Sequence, residues 1–158
     1  MRLQLFLSAV LLAASISGPT FAAAANDVRL SSGQTVYVSV YSNLPIGPRA
    51  RPVSLETVLT IRNTDMKRGL TISSIDYYDT DGKVLRRHLA SPLALGPLAT
   101  KYIHVKEGES AGGPGSNFIV RWRAAKPMNP PIVESVMLSA RGGQGISFVI
   151  PGQVISEE

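Results

Sequence analysis

The sequence predicts an all-β protein whose mature chain forms a single antiparallel β-sandwich, immunoglobulin-like, with about seven to eight strands. Many short β-rich runs separated by Gly, Pro and Asn follow residue 25, and several of them alternate apolar and polar residues with a period of two. The same part of the chain contains no convincing amphipathic helix. A small closed barrel is the alternative. The Cys-Trp-Cys spacing of true immunoglobulin domains cannot occur because the chain has no cysteine.

The first 25 residues have a different composition from the rest of the chain. Arg2 gives a short positive start, Leu3 to Ile16 is mostly apolar, and overlapping small-residue cleavage sites lie among Ala22 to Ala25. This is the layout of a secretory signal peptide, and the apolar run is shorter than the ~20 residues of a membrane helix. We therefore expect a signal peptide over 1–25, one domain over 26–158, no integral membrane span after cleavage, and a bacterial periplasmic or secreted location.

The first predicted strands have clear apolar faces. In the run from Thr35 to Tyr41 the valines alternate with Tyr37, Ser39 and Tyr41, and from Ser54 to Asn63 the apolar residues again share one face. The residues expected on these core faces are Val36, Val38, Val40, Leu55, Leu59 and Ile61.

The next run, Leu70 to Tyr78, changes phase halfway. Leu70 and Ile72 have one parity and Ile75 and Tyr77 the other, which predicts a β-bulge near Ser73-Ser74. Asp79-Thr80-Asp81-Gly82 then predicts a hairpin turn into a strand over 83–89.

The second half of the chain predicts further strands over 100–106, 118–124, 132–141 and 146–150, with a flexible loop over 107–117. Phe118, Val120, Trp122 and Ala124 are expected to point inward. The stretch 127–131 is expected to be extended without pairing as a central strand, because its three prolines lack an amide donor. The core residues predicted for the last two strands are Val136, Leu138, Ala140, Ile146, Phe148 and Ile150.

The composition limits the function only broadly. Lys and Arg number 16 against 11 Asp and Glu, and this modest excess favours anionic neighbours weakly. Export would separate the protein from nucleic acid. We expect an envelope protein or an anionic envelope polymer as the partner, no nucleic acid and no cofactor, while the oligomeric state cannot be read from the sequence.

No catalytic or metal motif is complete. An EF-hand alignment of the Asp79 to Gly82 turn fails at its first and last ligands, and Ser116 lies in neither a hydrolase elbow nor a P-loop. Basic residues could form a strip for phosphate or carboxylate groups, although a solvated outer face is the simpler interpretation; they are Arg86, Arg87, Arg121, Arg123 and Lys126. A copper site is a weaker possibility, and its candidate ligands are His88, His104, Met66, Met128 and Met137.

Several segments resemble a family of uncharacterised exported bacterial proteins, catalogued as domain of unknown function number 3124. They are Tyr37 to Ser42, Ile61 to Asp65, Asp76 to Asp79, Asn117 with Phe118, Trp122 to Ala124, Asn129 to Glu134 and Gly142 to Phe148. The resemblance runs from about Tyr37 to Ile155. It implies a single exported domain and supplies no reaction, cofactor or catalytic residue.

Polar residues of these segments fall in predicted loops or at strand ends. Asn117, Arg123, Glu134 and Gln144 are the candidate binding residues, and we hypothesise that they converge on a polar pocket at one end of the sandwich. Asn117 and Gln144 could instead simply hydrogen-bond turn backbones. The leading hypothesis is a non-enzymatic binding module whose edge strands and end loops contact a partner. A hydrolase that combines the polar cluster with a histidine is the alternative, and a copper carrier is a third.

Overall fold

A computed structural model describes residues 29–141 and 144–158, with the backbone alone at positions 141 and 144. The predicted signal peptide lies outside these residues. Within them the protein is all-β, with a single 3-10 turn at Ser110–Gly112 and no α-helix. No helix in this described part is long and apolar enough to cross a membrane.

Two antiparallel sheets and a separate hairpin make up the fold. The larger sheet has the order β12-β1-β9-β5-β6, with β7 also paired to β5, and the smaller has the order β11-β10-β4-β8. β2 and β3 pair only with each other in the described chain. The strands are β1 Ser31–Ser39, β2 Asn43–Ile46, β3 Arg51–Ser54, β4 Glu56–Arg62, β5 Leu70–Tyr78, β6 Val84–Arg87, β7 Leu93–Leu95, β8 Thr100–Val105, β9 Asn117–Met128, β10 Ile132–Arg141, β11 Gln144–Pro151 and β12 Gln153–Glu157.

One hydrophobic cluster joins the two large sheets. Trp122 and Phe118 of β9 contribute from the larger sheet, and Leu59 and Ile61 of β4 from the smaller, all without exposed surface. The layers are therefore arranged as in a β-sandwich, and the closed-barrel alternative is wrong. The described residues form twelve strands, more than the seven to eight expected. The sequence did not reveal four of them because each is only three to five residues long and shows no clear alternation: β2, β3, β7 and β12.

The predicted bulge in β5 is confirmed. The pairing of β5 with β9 shifts register between Ile72 and Ser74, so one extra residue lies between the two phases. Leu70, Ile72, Ile75 and Tyr77 are consequently all buried on the core side.

The predicted hairpin after β5 is also confirmed. Gly82 has a φ of +79°, which favours glycine, and its N–H donates to the Asp79 carbonyl. The Asp79 carboxylate accepts the N–H groups of Asp81 at 3.0 Å and Lys83 at 2.8 Å. The Asp side chain thus fixes the turn through the backbone amides that follow it.

The core face predicted for β10 is wrong. Val136 is half-buried and Leu138 and Ala140 are exposed, whereas Val133 and Met137 point into the core. The buried face also holds two serines, and the hydroxyl of Ser135 donates to the Ser39 carbonyl of the other sheet at 2.9 Å. Since apolar residues occur on both faces of β10, apolar alternation alone selected the wrong one. The core face predicted for β11 agrees better with the structure, because two of its three predicted residues, Phe148 and Ile150, pack against the core.

The break expected at Pro127 lies further along the chain. β9 continues through Pro127 to Met128, which pairs with Ser31 of β1 after a register shift. The Pro127 carbonyl accepts a hydrogen bond from the Arg68 guanidinium at 3.1 Å. The proline therefore keeps an extended backbone and a carbonyl partner without needing an amide proton.

Candidate functional site

The four candidate residues fall into two pairs at different ends of the sheets. Asn117 begins β9 and the backbone of Gln144 begins β11, on the side of the 107–116 connection. Arg123 lies six residues further along β9, roughly 20 Å away at the rise of an extended strand. Glu134 pairs with Pro151, at the opposite end of β11 from Gln144.

Glu134 belongs to an outer-face cluster on the smaller sheet. Its carboxylate accepts from Arg62 Nε at 3.3 Å and from Thr60 Oγ1 at 3.5 Å. These partners lie on the neighbouring strand β4, so the ion pair links two strands across the sheet. Arg123 is exposed on the outer face of the other sheet.

The predicted basic strip is largely neutralised within the protein. Arg121 and Asp76 form an ion pair at 3.1 Å, and Arg87 lies 4.0 Å from the same carboxylate. Arg86 pairs with Glu109 at 3.3 Å. The strip is therefore not a uniform cationic surface.

The 107–116 connection, expected to be flexible, is held by hydrogen bonds. Ser116 is buried, and its hydroxyl donates to the Val40 carbonyl at 3.1 Å. Thr80 donates through its hydroxyl to the Gly112 carbonyl and accepts from the Gly115 N–H, each at 3.0 Å. A Cβ at Gly112 would lie 2.1 Å from the Tyr77 hydroxyl, so only glycine fits there. Ser116 is thus a structural residue in this arrangement.

The histidines have different surroundings. His104 on β8 contacts the Glu56 carboxylate on the outer face. His88 packs beside Phe118 with ring centres 5.7 Å apart. Burial lowers the pKa of His88, and the positive charge of Arg86 adds to this effect.

The methionines proposed as copper ligands lie in distinct places. Met128 and Met137 are completely buried in the core, and Met66 is at an exposed loop tip. The Met137 sulfur already accepts the Tyr41 N–H at 3.3 Å. Tyr41, which the alternation places on the face opposite the valines, packs against the core beside Phe148.

An open strand edge was missed by the site prediction and is the most distinctive surface of the described chain. Among the described residues β11 pairs with β10 alone, so its other side carries backbone N–H and C=O groups without a strand partner there. It is eight residues long and contains no charged residue. The other terminal strands of the two sheet paths are shorter or carry titratable side chains: β6 has Arg86 and Arg87, β8 has Lys101 and His104, and β12 has Glu157.

Both faces of β11 carry apolar side chains. Ile146, Phe148 and Ile150 lie on the core side and are only half-buried, since no strand covers them at the edge. On the outer face Val149 is 56% exposed. Most natural edge strands are protected by a charge or an inserted proline, and β11 has only Pro151 at its last position.

The apolar outer surface continues from β11 across the smaller sheet. Val149 lies opposite Val136, which lies opposite Val58 of β4. Leu138 and Tyr102 are exposed beside this row of valines. Exposed apolar surface of this continuity is typical of an interaction site.

A cleft of about 490 Å³ adjoins the beginning of β11. Its polar wall includes the carboxylates of Glu56 and Glu107, and its apolar wall includes Leu138 and Ile146. We call the free side of this strand the β11 edge and define it as residues 145–151.

Comparisons with known proteins identify a family and one solved structure. A family model described as "Protein of unknown function (DUF3124)" matches residues 33–155. The crystal structure of Thermotoga maritima 1070 is similar at 15% sequence identity and a TM-score of 0.45, covering 79% of this chain and 97% of that chain. No curated protein matches the chain.

Proposed function

The chain belongs to the DUF3124 family, and from its geometry we propose that it is an exported, non-enzymatic binding module whose protein partner adds a strand to the β11 edge. The observation that carries the proposal is the eight-residue uncharged strand with one free side. Strand addition uses such an edge because main-chain hydrogen bonds supply affinity and alternate side chains supply specificity.

The surroundings of β11 define the partner segment. Apolar residues at alternate positions would continue the half-buried row formed by Ile146, Phe148 and Ile150. The partner is therefore an extended segment with alternating apolar residues.

A protein partner accounts for the surface better than an anionic polymer. The arginines that would bind such a polymer are paired, Arg121 with Asp76 and Arg86 with Glu109. The β11 edge itself carries no positive charge. The hydrolase alternative gains no support, because Ser116 is buried and bonded to a main-chain carbonyl.

The finer description of the fold belongs to the same proposal. Two antiparallel sheets around one core, with connections that pass repeatedly from one sheet to the other, support an immunoglobulin-like sandwich. The layout of residues 1–25 supports export to the periplasm.

Binding of a strand-forming probe tests the proposal. The probe is an eight-residue peptide of alternating threonine and valine with a lysine at each end, and its scrambled form is the control. We expect binding to wild type that Val149→Lys weakens by roughly tenfold, because the added charge lies on the outer face beside the apolar side chains of the incoming strand. Val154→Lys on β12, at a similarly exposed position, is expected to leave binding within about twofold.

Amide hydrogen exchange locates the bound peptide. Exchange is expected to slow at alternate residues of β11, because every second N–H points away from β10. Equal binding of the scrambled peptide, equal loss in the Val149→Lys and Val154→Lys variants, or no binding at all would refute strand addition at this edge.

A further inference from the structure

We propose that the strand paired with β11 in the free protein is β11 of a second copy, forming a two-fold dimer centred on Phe148. The inference rests on the proposed function because it uses the same edge. It goes further by naming the occupant and its register. The resulting sheet would contain eight strands, four from each copy.

Face matching limits the possible registers. Residues directly opposite each other in an antiparallel pair lie on the same face of the sheet. On β11, Phe148 lies opposite the buried Met137 and faces the core, whereas Ser147 lies opposite the exposed Leu138 and faces outward. A symmetry axis between Ser147 and Phe148 would place a core-facing residue opposite an outward-facing one. The axis must therefore pass through a residue.

An axis at Phe148 gives the best side-chain pairing. It places Phe148 opposite its own copy and Ile146 opposite Ile150, so all three core-facing positions meet apolar partners. An axis at Ser147 would instead place Gln144 opposite Ile150. The Phe148 register thus continues the apolar core row from one copy into the other.

The charge pattern permits this self-pairing. Two-fold symmetry places each side chain near its own copy or a close neighbour, so a charged residue at the centre would repel itself. β11 has no charge at any of its eight positions. A second copy therefore meets no like-charge contact along the strand, which is not true of β6 with its adjacent Arg86 and Arg87.

Sedimentation velocity of the chain recovered from the periplasm tests the dimer over a wide concentration range. We expect a concentration-dependent dimer in wild type and at least a tenfold weaker association in Val149→Lys, with Val154→Lys unchanged. Thermal unfolding of both variants checks that the fold is kept. A monomer at every concentration, or equal weakening in both variants, would overturn the inference.

Introduced cysteines test the register without ambiguity, since the chain has none of its own. In the Phe148 register Ser147 of one copy lies opposite Val149 of the other. A mass-tagged mixture of Ser147→Cys and Val149→Cys is therefore expected to form mixed disulfides faster than either variant alone forms its own. Preferential self-linking of Ser147→Cys would place the axis at residue 147 and overturn the proposed register.

The two proposals can fail separately. The chain could be monomeric while the threonine-valine peptide binds to wild type and does not bind to Val149→Lys. In that case the edge accepts strands and the second copy is not the occupant. If the chain dimerises equally in Val149→Lys while the peptide does not bind, the dimer lies elsewhere and both proposals are refuted.

Discussion

Asn63 shows how a single side chain can organise several segments. Its amide nitrogen donates to the carbonyls of Arg68 and Gly96, both at 2.8 Å, and its amide oxygen accepts the Asp65 N–H at 3.0 Å. The N–H groups of Lys67 and Arg68 in turn hydrogen-bond to the Asp65 carboxylate and lower its pKa. The Asn-Thr-Asp sequence, which is one of the segments that resemble the family, therefore holds the connection between β4 and β5 in place through hydrogen bonds.

Replacement of Asn63 by Ala should destabilise the protein. The side chain is buried, so its loss leaves main-chain groups without partners, at a cost of about 2–3 kcal/mol in the free energy of unfolding. Urea unfolding measures the change. Met66→Ala, at the exposed tip of the same connection, is the matched control and should stay within about 0.5 kcal/mol of wild type. Similar losses in the two variants would contradict the hydrogen-bonding role.

His88 should make stability depend on pH. Its pKa is lowered in the folded protein, so between that value and the ordinary pKa of about 6.5 the unfolded chain binds more protons. Stability is therefore expected to fall as the pH drops below about 6.5, until the folded pKa is passed. In His88→Gln the melting temperature should vary less with pH over this range.

His104→Gln provides the comparison for that experiment, since it removes the histidine on the outer face of β8. If both variants flatten the pH profile equally, or if His88→Gln leaves it unchanged, burial of His88 is not the source.

At the scale of strands, prediction from sequence succeeded where the pattern reflects geometry directly. The change of phase in β5 predicted the bulge because one extra residue moves every later side chain to the other face of the strand. It failed on β10, where Ser135 points inward and Leu138 outward. A serine can occupy the core there because its hydroxyl reaches a carbonyl of the facing sheet, and no local pattern reveals that carbonyl.

Gly152 joins β11 of one sheet to β12 of the other. A Cβ placed on it would lie 2.7 Å from Val36 Cγ1 and 2.9 Å from the Val133 carbonyl oxygen. We expect Gly152→Ala to destabilise the protein by about 1–3 kcal/mol through overpacking, as measured by urea unfolding. Gly96→Ala, where a Cβ meets nothing within 4 Å, is the control. An equal, small effect at both positions would refute the steric explanation.

For the molecule as a whole, the sequence identified the family and the all-β class, and it suggested edge strands as a binding surface without selecting one. It did not identify β11, because an edge is defined by the order of strands in a sheet. That order depends on pairings between distant segments, such as Val136 with Val58. The individual site residues were chosen for polarity, whereas the open edge is marked by the absence of charge.

The cellular location of the protein and the cleavage of its signal peptide can be measured directly. We expect the chain in a periplasmic fraction to have lost its first residues, with a mass that places cleavage among Ala22 to Ala25. Intact mass spectrometry of the fractionated protein gives the result. An uncleaved chain in the membrane or cytoplasmic fraction would contradict the proposed export, and Ala22→Arg should slow processing if the small residues are the recognised site.

The position of β1 between β9 and β12 in the larger sheet has a consequence for the timing of folding. Val36 pairs with Val120 on one side and with Val154 on the other, roughly 80 and 120 residues later in the chain. As β1 emerges first, it must wait for β9 and β12 before its hydrogen bonds can form. Such distant pairings slow the search for the native state. The larger sheet can therefore be completed only after β12 has been synthesised.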